Sequence, residues 1–188
     1  MARTRRVRRS RRGLVGEPAS ARAQLVRLLQ DAHAGELAAA LAYRGHWHSL
    51  RRATERAEVK RIEGTEWHHR GQVLTMLELL HERPRRPREF AMWSIGRFFG
   101  ALCFVGGWFA PMYAAGRLEA MNVGQYLTAR ELADELGLAQ WVPPLEAMRV
   151  EEGRHEQWFG DRVRGHWLLR PTRYFLKWNP PDPLSDAA

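Results

Sequence analysis

Cysteine is almost absent from this sequence, since Cys103 is the only one in 188 residues. A single cysteine cannot form an internal disulfide, which excludes the disulfide-stabilised secreted domains and fits a reducing compartment. Its isolation also excludes the thiolate clusters that favour zinc or copper(I). Because Cys103 lies in an apolar run, we expect a buried and unreactive thiol.

Acidic residues are missing from residues 1–12, which hold seven arginines. Removing these seven from the net charge of +9 leaves only +2 on the rest of the chain, so we expect no specific nucleic-acid binding. We interpret residues 1–18 as a disordered basic arm, and electrostatic contact of this arm with anionic lipid or nucleic acid is the alternative. No apolar segment follows the arginines, so no secretory signal is expected.

Sustained alternation of polar and apolar residues is also missing, so we predict an all-α fold. The first helix should run from the N-cap Ser20 to about His48, and the second should follow a turn near residues 49–54. A third helical region is expected over 89–136, and a fourth helix after Pro143 and Pro144. The breaks are predicted at Pro84 and Pro87, at Gly106, Gly107 and Pro111, and at the C-cap Gly137. We assign the helical bundle to residues 19–165 and an aromatic and basic extension to residues 166–188.

Residues Phe98–Gly116 form an uncharged stretch of 19 residues, close to the length that crosses a bilayer. Three interpretations are open: a buried core helix, a helix lying in a membrane interface, or a transmembrane span. Five glycine or proline residues within the stretch argue against a span. Aromatic residues such as Trp93 and Trp108 favour the interface, because such side chains prefer the level of the lipid headgroups.

Two Glu-x-x-His pairs form the most informative pattern, and each follows a lone helical glutamate. Residues three apart on a helix share a face, and equal distances from a turn bring antiparallel helices to the same height. The pattern therefore predicts one cluster of four carboxylates and two imidazoles, the set with which four-helix bundles hold two iron or manganese ions. The predicted ligands are Glu36, Glu66, His69, Glu119, Glu152 and His155.

A single Glu-x-x-His pair is typical of a solvated helix face, but two pairs with similarly placed glutamates are hard to attribute to chance. Four ionised carboxylates could not share a core without a metal, because buried unpaired charge is very costly. Neighbouring residues could shift the assignment, namely Glu63, His68, Glu151 and Glu156. The other histidines are expected on the surface or in the core: His33, His46, His48, His81 and His166.

Four segments resemble the ligand helices of the demethoxyubiquinone hydroxylases, which are ferritin-like di-iron enzymes of ubiquinone biosynthesis. The segments are AGELAAALAYRGH (34–46), EWHH (66–69), LEAMNVGQY (118–126) and EEGRHE (151–156). The resemblance covers roughly residues 25–165. It implies a ferritin-like four-helix bundle with a di-iron site, in which Glu36 and Glu119 are terminal ligands and Glu66 and Glu152 are bridges. His69 and His155 would each bind one iron.

The resemblance also implies catalytic roles for Glu66, Glu152 and Tyr126, the last matching a tyrosine beside the family's site. Gln125 stands where the family usually has histidine, a departure that bears on electron transfer more than on metal binding. The implied activity is O₂-dependent hydroxylation of a hydrophobic quinol by a protein bound peripherally to the cytoplasmic face of the cell membrane. A homodimer or a partner in a biosynthetic complex is the expected assembly.

Two other functions remain open at this point. A ferritin-like oxidase or peroxidase would act on ferrous iron or peroxide instead of a quinol. A non-enzymatic helical module would use the same six residues only to hold a structural metal. Manganese is the alternative to iron in each case.

Overall fold

The computed structural model describes residues 20–183. Within these residues the chain forms six α-helices, one short 3₁₀-helix and no β-strand, which confirms the all-α prediction. The helices are α1 (Ala21–Ser49), α2 (Ala53–Leu79), α3 (Arg86–Leu102), α4 (Phe109–Glu135), α5 (Val142–Val163) and α6 (Leu169–Leu176), with the 3₁₀-helix at Ala139–Trp141. The predicted disorder of the basic arm falls outside the described residues.

Helix ends follow the local chemistry of the sequence. Ser20 caps α1 as predicted, because its hydroxyl accepts a hydrogen bond from the Ala23 amide at 3.3 Å. Gly137 follows the C-cap of α4 with a φ of +70°, a left-handed conformation that glycine adopts without a steric penalty. Helix α2 ends at Leu79, before Pro84, as predicted. The predicted break at Pro87 and the predicted start of a helix after Pro144 need correction. Pro87 lies in the first turn of α3, and Pro143 and its neighbour lie in the first turn of α5, where the missing N–H needs no helical partner.

Four of the helices pack around a common core as two antiparallel hairpins. The α1–α2 hairpin turns at residues 50–52, and at its open end Arg22 donates to the Leu80 carbonyl at 2.9 Å. The α4–α5 hairpin closes at Gly137, and α4 runs antiparallel to α1 while α5 runs antiparallel to α2. Apolar side chains fill the core in two layers, one around Leu25, Leu77 and Leu145, and one around the α2 residue Ile62 and the α5 residue Phe159. The predicted ligands occupy the level between these layers.

Helix α3 is a crossover that connects the two hairpins and lies outside them, parallel to α1. Only Gly96 and Gly100 are buried among its residues, and both pack on the α1 backbone. A Cβ atom at Gly45 of α1 would lie 2.2 Å from the Gly100 carbonyl oxygen. This close approach requires glycine, and it leaves large apolar side chains of α3 such as Phe90 and Phe98 exposed.

The predicted third helical region over 89–136 is therefore two antiparallel helices, α3 and α4, with a break at residues 103–108. The buried-core interpretation of Phe98–Gly116 is correct for its α4 half, where Phe109 and Met112 are buried. It is wrong for the α3 half, because Phe98 and Phe99 are at least half exposed. No helix in the described part of the chain is both long and apolar enough to cross a membrane.

Cys103 lies in the break between α3 and α4 and is only partly buried, so the expectation of full burial is wrong. Its thiol donates a hydrogen bond to the Phe99 carbonyl, and burial raises its pKa to about 11. A thiol with so high a pKa carries little thiolate at neutral pH, which agrees with the expected lack of reactivity.

The C-terminal extension folds back on the second hairpin. Trp178 is buried against Gly116, and its indole N–H donates to Glu156 at 2.9 Å. The Tyr113 hydroxyl donates to the Trp178 carbonyl at 2.8 Å. The segment after α6 is thus fixed to both α4 and α5.

Candidate metal centre

All six predicted ligands converge in the interior between the two apolar layers. Each of the four core helices supplies one carboxylate, and α2 and α5 each add a histidine one turn later. Every one of the six side chains belongs to a residue that is at most 2% exposed. The spacing of three within each Glu-x-x-His pair turns both side chains to the same face, as predicted.

The six residues form two overlapping groups of four. In each group the candidate ligand atoms all lie within 4.8 Å of one another. Glu66 and Glu152 belong to both groups, whereas each terminal glutamate and each histidine belongs to one. The groups are Glu36, Glu66, His69 and Glu152, and Glu66, Glu119, Glu152 and His155. This arrangement offers two adjacent metal positions with two shared carboxylates.

The two imidazoles differ in their hydrogen-bond partners. His69 Nδ1 faces Glu152 at 2.9 Å, while its Nε2 contacts the half-exposed carboxylate of Glu151 at 2.8 Å. A carboxylate behind a histidine fixes the tautomer and aims the other ring nitrogen at a metal. His155 Nδ1 lies 3.5 Å from Glu66 and has no hydrogen-bond partner. Both Nδ1 atoms therefore point into the cluster.

Two tyrosines bind the terminal carboxylates in a reciprocal arrangement. Tyr126 of α4 donates its hydroxyl proton to Glu36 of α1, and Tyr43 of α1 donates to Glu119 of α4. Each tyrosine lies seven residues, about two helical turns, after the glutamate of its own helix. Because α1 and α4 are antiparallel, each pair reaches the glutamate of the other helix.

Three of the four carboxylates are destabilised in their ionised forms. Burial, followed by the charge of Glu152, raises the pKa of Glu36 to about 7. The same two causes raise the pKa values of Glu66 and Glu119 well above their usual range. The metal-free site thus holds protons that a cation would displace.

Glu152 and His69, in contrast, are stabilised in their ionised forms. Burial alone would raise the pKa of Glu152, but its interactions with Glu119, His155 and His69 outweigh burial and lower it. Burial alone would lower the pKa of His69, yet contacts with Glu152 and other carboxylates raise it to about 9. The positively charged His69 ring thus balances the negative charge of Glu152 within the cluster.

Several buried polar atoms of the cluster have no hydrogen-bond partner. Both carboxylate oxygens of Glu66 and one oxygen each of Glu36 and Glu119 are in this state, as is His155 Nδ1. Unpaired buried carboxylate oxygens are rare in proteins because their desolvation is uncompensated. Oxygen donors with imidazole suit iron or manganese, so the residues fit a pair of such ions.

No protein-family model, curated protein or solved structure matches the chain.

The neighbouring acids and histidines occupy other environments. Glu63 accepts hydrogen bonds from Arg44 and from Trp47, at 2.8 and 2.7 Å, and Glu156 accepts from Trp178. His33 and His46 are buried, His166 is half-buried, and His48, His68 and His81 are exposed. Neither of the two groups includes any of these residues.

Sequence reasoning missed three residues that touch the ligands. Glu151 was treated only as an alternative ligand, although it contacts His69 from outside the cluster. Asn122 lies 3.5 Å from a Glu152 oxygen, and nothing in the sequence marks it. Tyr43 could have been found, because the spacing of seven between Glu36 and Tyr43 repeats that between Glu119 and Tyr126.

Proposed function

We propose that this protein is a ferritin-like di-iron monooxygenase that hydroxylates the ring of a demethoxyubiquinol-type quinol with O₂. The observation that carries the proposal is the pair of overlapping ligand groups that share Glu66 and Glu152. Two adjacent metal positions joined by carboxylates are typical of bundles that activate O₂. A structural metal would need only one such position.

The charge of the site supports metal binding as its purpose. Four buried carboxylates face two imidazoles, and three of the carboxylates have raised pKa values. Burying them together is unfavourable in the metal-free protein, and a cluster of this kind persists where function requires it. When bound, iron would supply the redox chemistry with O₂ that the side chains cannot perform alone; manganese is the alternative.

The residues would divide the work by position. Glu66 and Glu152 would bridge the two metal positions, while Glu36 and Glu119 would each serve one. The hydroxyl groups of Tyr126 and Tyr43 would hold the two terminal carboxylates in position by donating hydrogen bonds to them. Glu151 would accept a hydrogen bond from the Nε2 proton of His69. This tautomer leaves His69 Nδ1 without a proton and free to bind a metal.

The quinol substrate is supported by the motif resemblance and by the outer face of α3. Phe90 and Phe98 on this face are 70% and 60% exposed. Apolar surface of this kind is typical of proteins that meet a membrane or a partner. Peripheral association with the cytoplasmic face of the cell membrane would give the protein access to a substrate with an isoprenoid tail.

One observation favours the second candidate, oxidation of ferrous iron or reduction of peroxide. The Glu151 side chain is 44% exposed and contacts buried His69. A carboxylate that links solvent to a buried cluster could bind an entering cation. An enzyme of this second kind would turn over iron or peroxide without any quinol.

The test combines metal loading with substrate discrimination. The purified protein is loaded anaerobically with ferrous iron, and we expect two iron ions per chain. It is then exposed to O₂ with and without a demethoxy quinol analogue. Hydroxylated product that is lost in His155→Ala supports the proposal. Iron or peroxide turnover without any quinol product would replace it with the second candidate, and a single bound iron that does not react with O₂ would refute both.

A further inference from the structure

Helix α6 presents large aromatic side chains to solvent. Tyr174 and Phe175 are 79% and 76% exposed, and Trp167, just before the helix, is 76% exposed. Three such residues within nine positions are unusual, because aromatic side chains are normally at least partly buried. Nothing in the active-site chemistry accounts for them.

These side chains are exposed although α6 is held against the bundle, so they do not belong to a frayed helix end. On the inner side, Leu168 and Leu169 pack against the core of the bundle. Beyond the helix, Arg117 of α4 donates to the Leu176 carbonyl at 3.1 Å, and Trp178 is buried. Both ends of α6 are therefore anchored, and its outer face is held outward.

The charge around this face has one sign. Residues 162–181 contain five cations and no acid. Arg170, Arg173 and Lys177 are exposed, and none of these three forms an ion pair within the described part of the chain. A surface that combines unpaired cations with exposed rings complements an anionic interface.

Apolar surface extends from α6 to the neighbouring α3–α4 break at the same end of the bundle. His166 stacks on Phe109 with ring centroids 4.5 Å apart, which places the start of α6 beside the break between α3 and α4. In that break Phe104 and Val105 are 62% and 79% exposed. An aliphatic residue such as Val105 offers nothing for a nucleic-acid base to stack on, so the combined surface fits lipid better than RNA or DNA.

We propose that α6 with Trp167 is a binding element for anionic phospholipid, in which the rings enter the headgroup level and Arg170, Arg173 and Lys177 pair with lipid phosphates. The inference rests on the membrane-association part of the proposed function and names the lipid class. Lipid binding needs neither metal nor substrate, so its failure is distinguishable from failure of the di-iron assignment.

The test measures binding of the full chain to vesicles by co-sedimentation. One set of vesicles is phosphatidylcholine alone, and the other is equal parts phosphatidylcholine and phosphatidylglycerol. We expect stronger binding to the second set, weakened by salt. The double variant R170Q/R173Q should lose roughly 30-fold in partitioning to the anionic vesicles, at about fivefold per cation. The variant Y174A/F175A should lose binding to both sets.

The matched control is R27Q/R83Q, which removes two exposed arginines at the opposite end of the bundle and should bind like the wild type. The arginine-rich residues 1–12 are present in every variant, so their contribution cancels. Thermal melts check that each variant is folded. Equal binding by R170Q/R173Q and wild type would overturn the proposal. A changed oligomeric state in Y174A/F175A with unchanged vesicle binding would also overturn it and assign the face to protein contact.

Discussion

Replacement of Glu36 by glutamine should stabilise the metal-free protein while removing one of its two metal positions. Burial and the charge of Glu152 raise the pKa of Glu36 from 4.5 to about 7. Each pH unit between the folded and unfolded values corresponds to about 1.4 kcal/mol. The ionised carboxyl therefore costs the folded metal-free protein about 3 kcal/mol above pH 7. Glutamine keeps the shape and the acceptor for Tyr126 but cannot ionise.

The sign of the effect defines the pH window of the experiment. Below pH 4.5 the carboxyl is protonated in both the folded and unfolded states, so the variant and the wild type should be equally stable. The difference should grow between pH 4.5 and 7 and then stay constant. At pH 8 we expect about 3 kcal/mol in chemical denaturation of the chelator-treated proteins, or roughly 6–12 °C in melting temperature for a chain of this size.

Metal binding provides the second half of the test. Glu36 belongs to only one of the two ligand groups, so Glu36→Gln should bind one iron per chain by titration while the wild type binds two. The control Glu131→Gln changes an exposed glutamate of α4 and should alter neither quantity. Equal stability of Glu36→Gln and wild type at pH 8 would refute the electrostatic reasoning. Two tightly bound iron ions in the variant would refute the ligand assignment.

Three further predictions concern the site and its frame. Metal-free wild type should lose stability as the pH rises from 4.5 through 7, because the raised pKa values of the buried carboxyls favour their protonated forms in the folded state, whereas the metal-loaded protein should not. Thermal melts across pH compare the two proteins, and parallel curves would contradict the explanation. Tyr126→Phe should still bind two metals but about 10- to 100-fold more weakly by competition titration, because Glu36 loses its donor; unchanged affinity would exclude a positioning role. Gly45→Ala should lower the free energy of unfolding by about 1–3 kcal/mol in urea denaturation, because its Cβ would meet the Gly100 carbonyl. The control Gly71→Ala, with open space around it, should be neutral or stabilising, and a tolerated Gly45→Ala would mean that α3 can move away from α1.

The cluster of four carboxylates and two imidazoles could be predicted because its information is local. Glu66 and His69 share a helix face by spacing alone, and counting residues from the turn places Glu36 at the same height. Burial of all six residues agrees with that reasoning. The identity of the metal and the substrate stays a prediction, because carboxylate and imidazole donors suit more than one ion.

The path of the third helical region could not be predicted from its composition. Phe98 and Phe109 have the same side chain in the same uncharged stretch, yet one is exposed and the other is buried. The difference arises from Gly96 and Gly100, which bring α3 onto the α1 backbone and turn its larger residues away. Periodicity reports which residues share a face of a helix, but it does not report which face meets the bundle.

The reciprocal tyrosine–glutamate hydrogen bonds between α1 and α4 make the candidate metal site depend on correct packing of the two hairpins. Each metal position takes three ligands from one hairpin and one from the other, and each terminal glutamate is held by a tyrosine across the divide. Neither hairpin alone can complete a position. Metal occupancy would therefore report that the chain has folded correctly, and a chain that misplaces its crossover would be left with uncompensated carboxylates and low stability. In a cell, such a chain would be open to proteolysis.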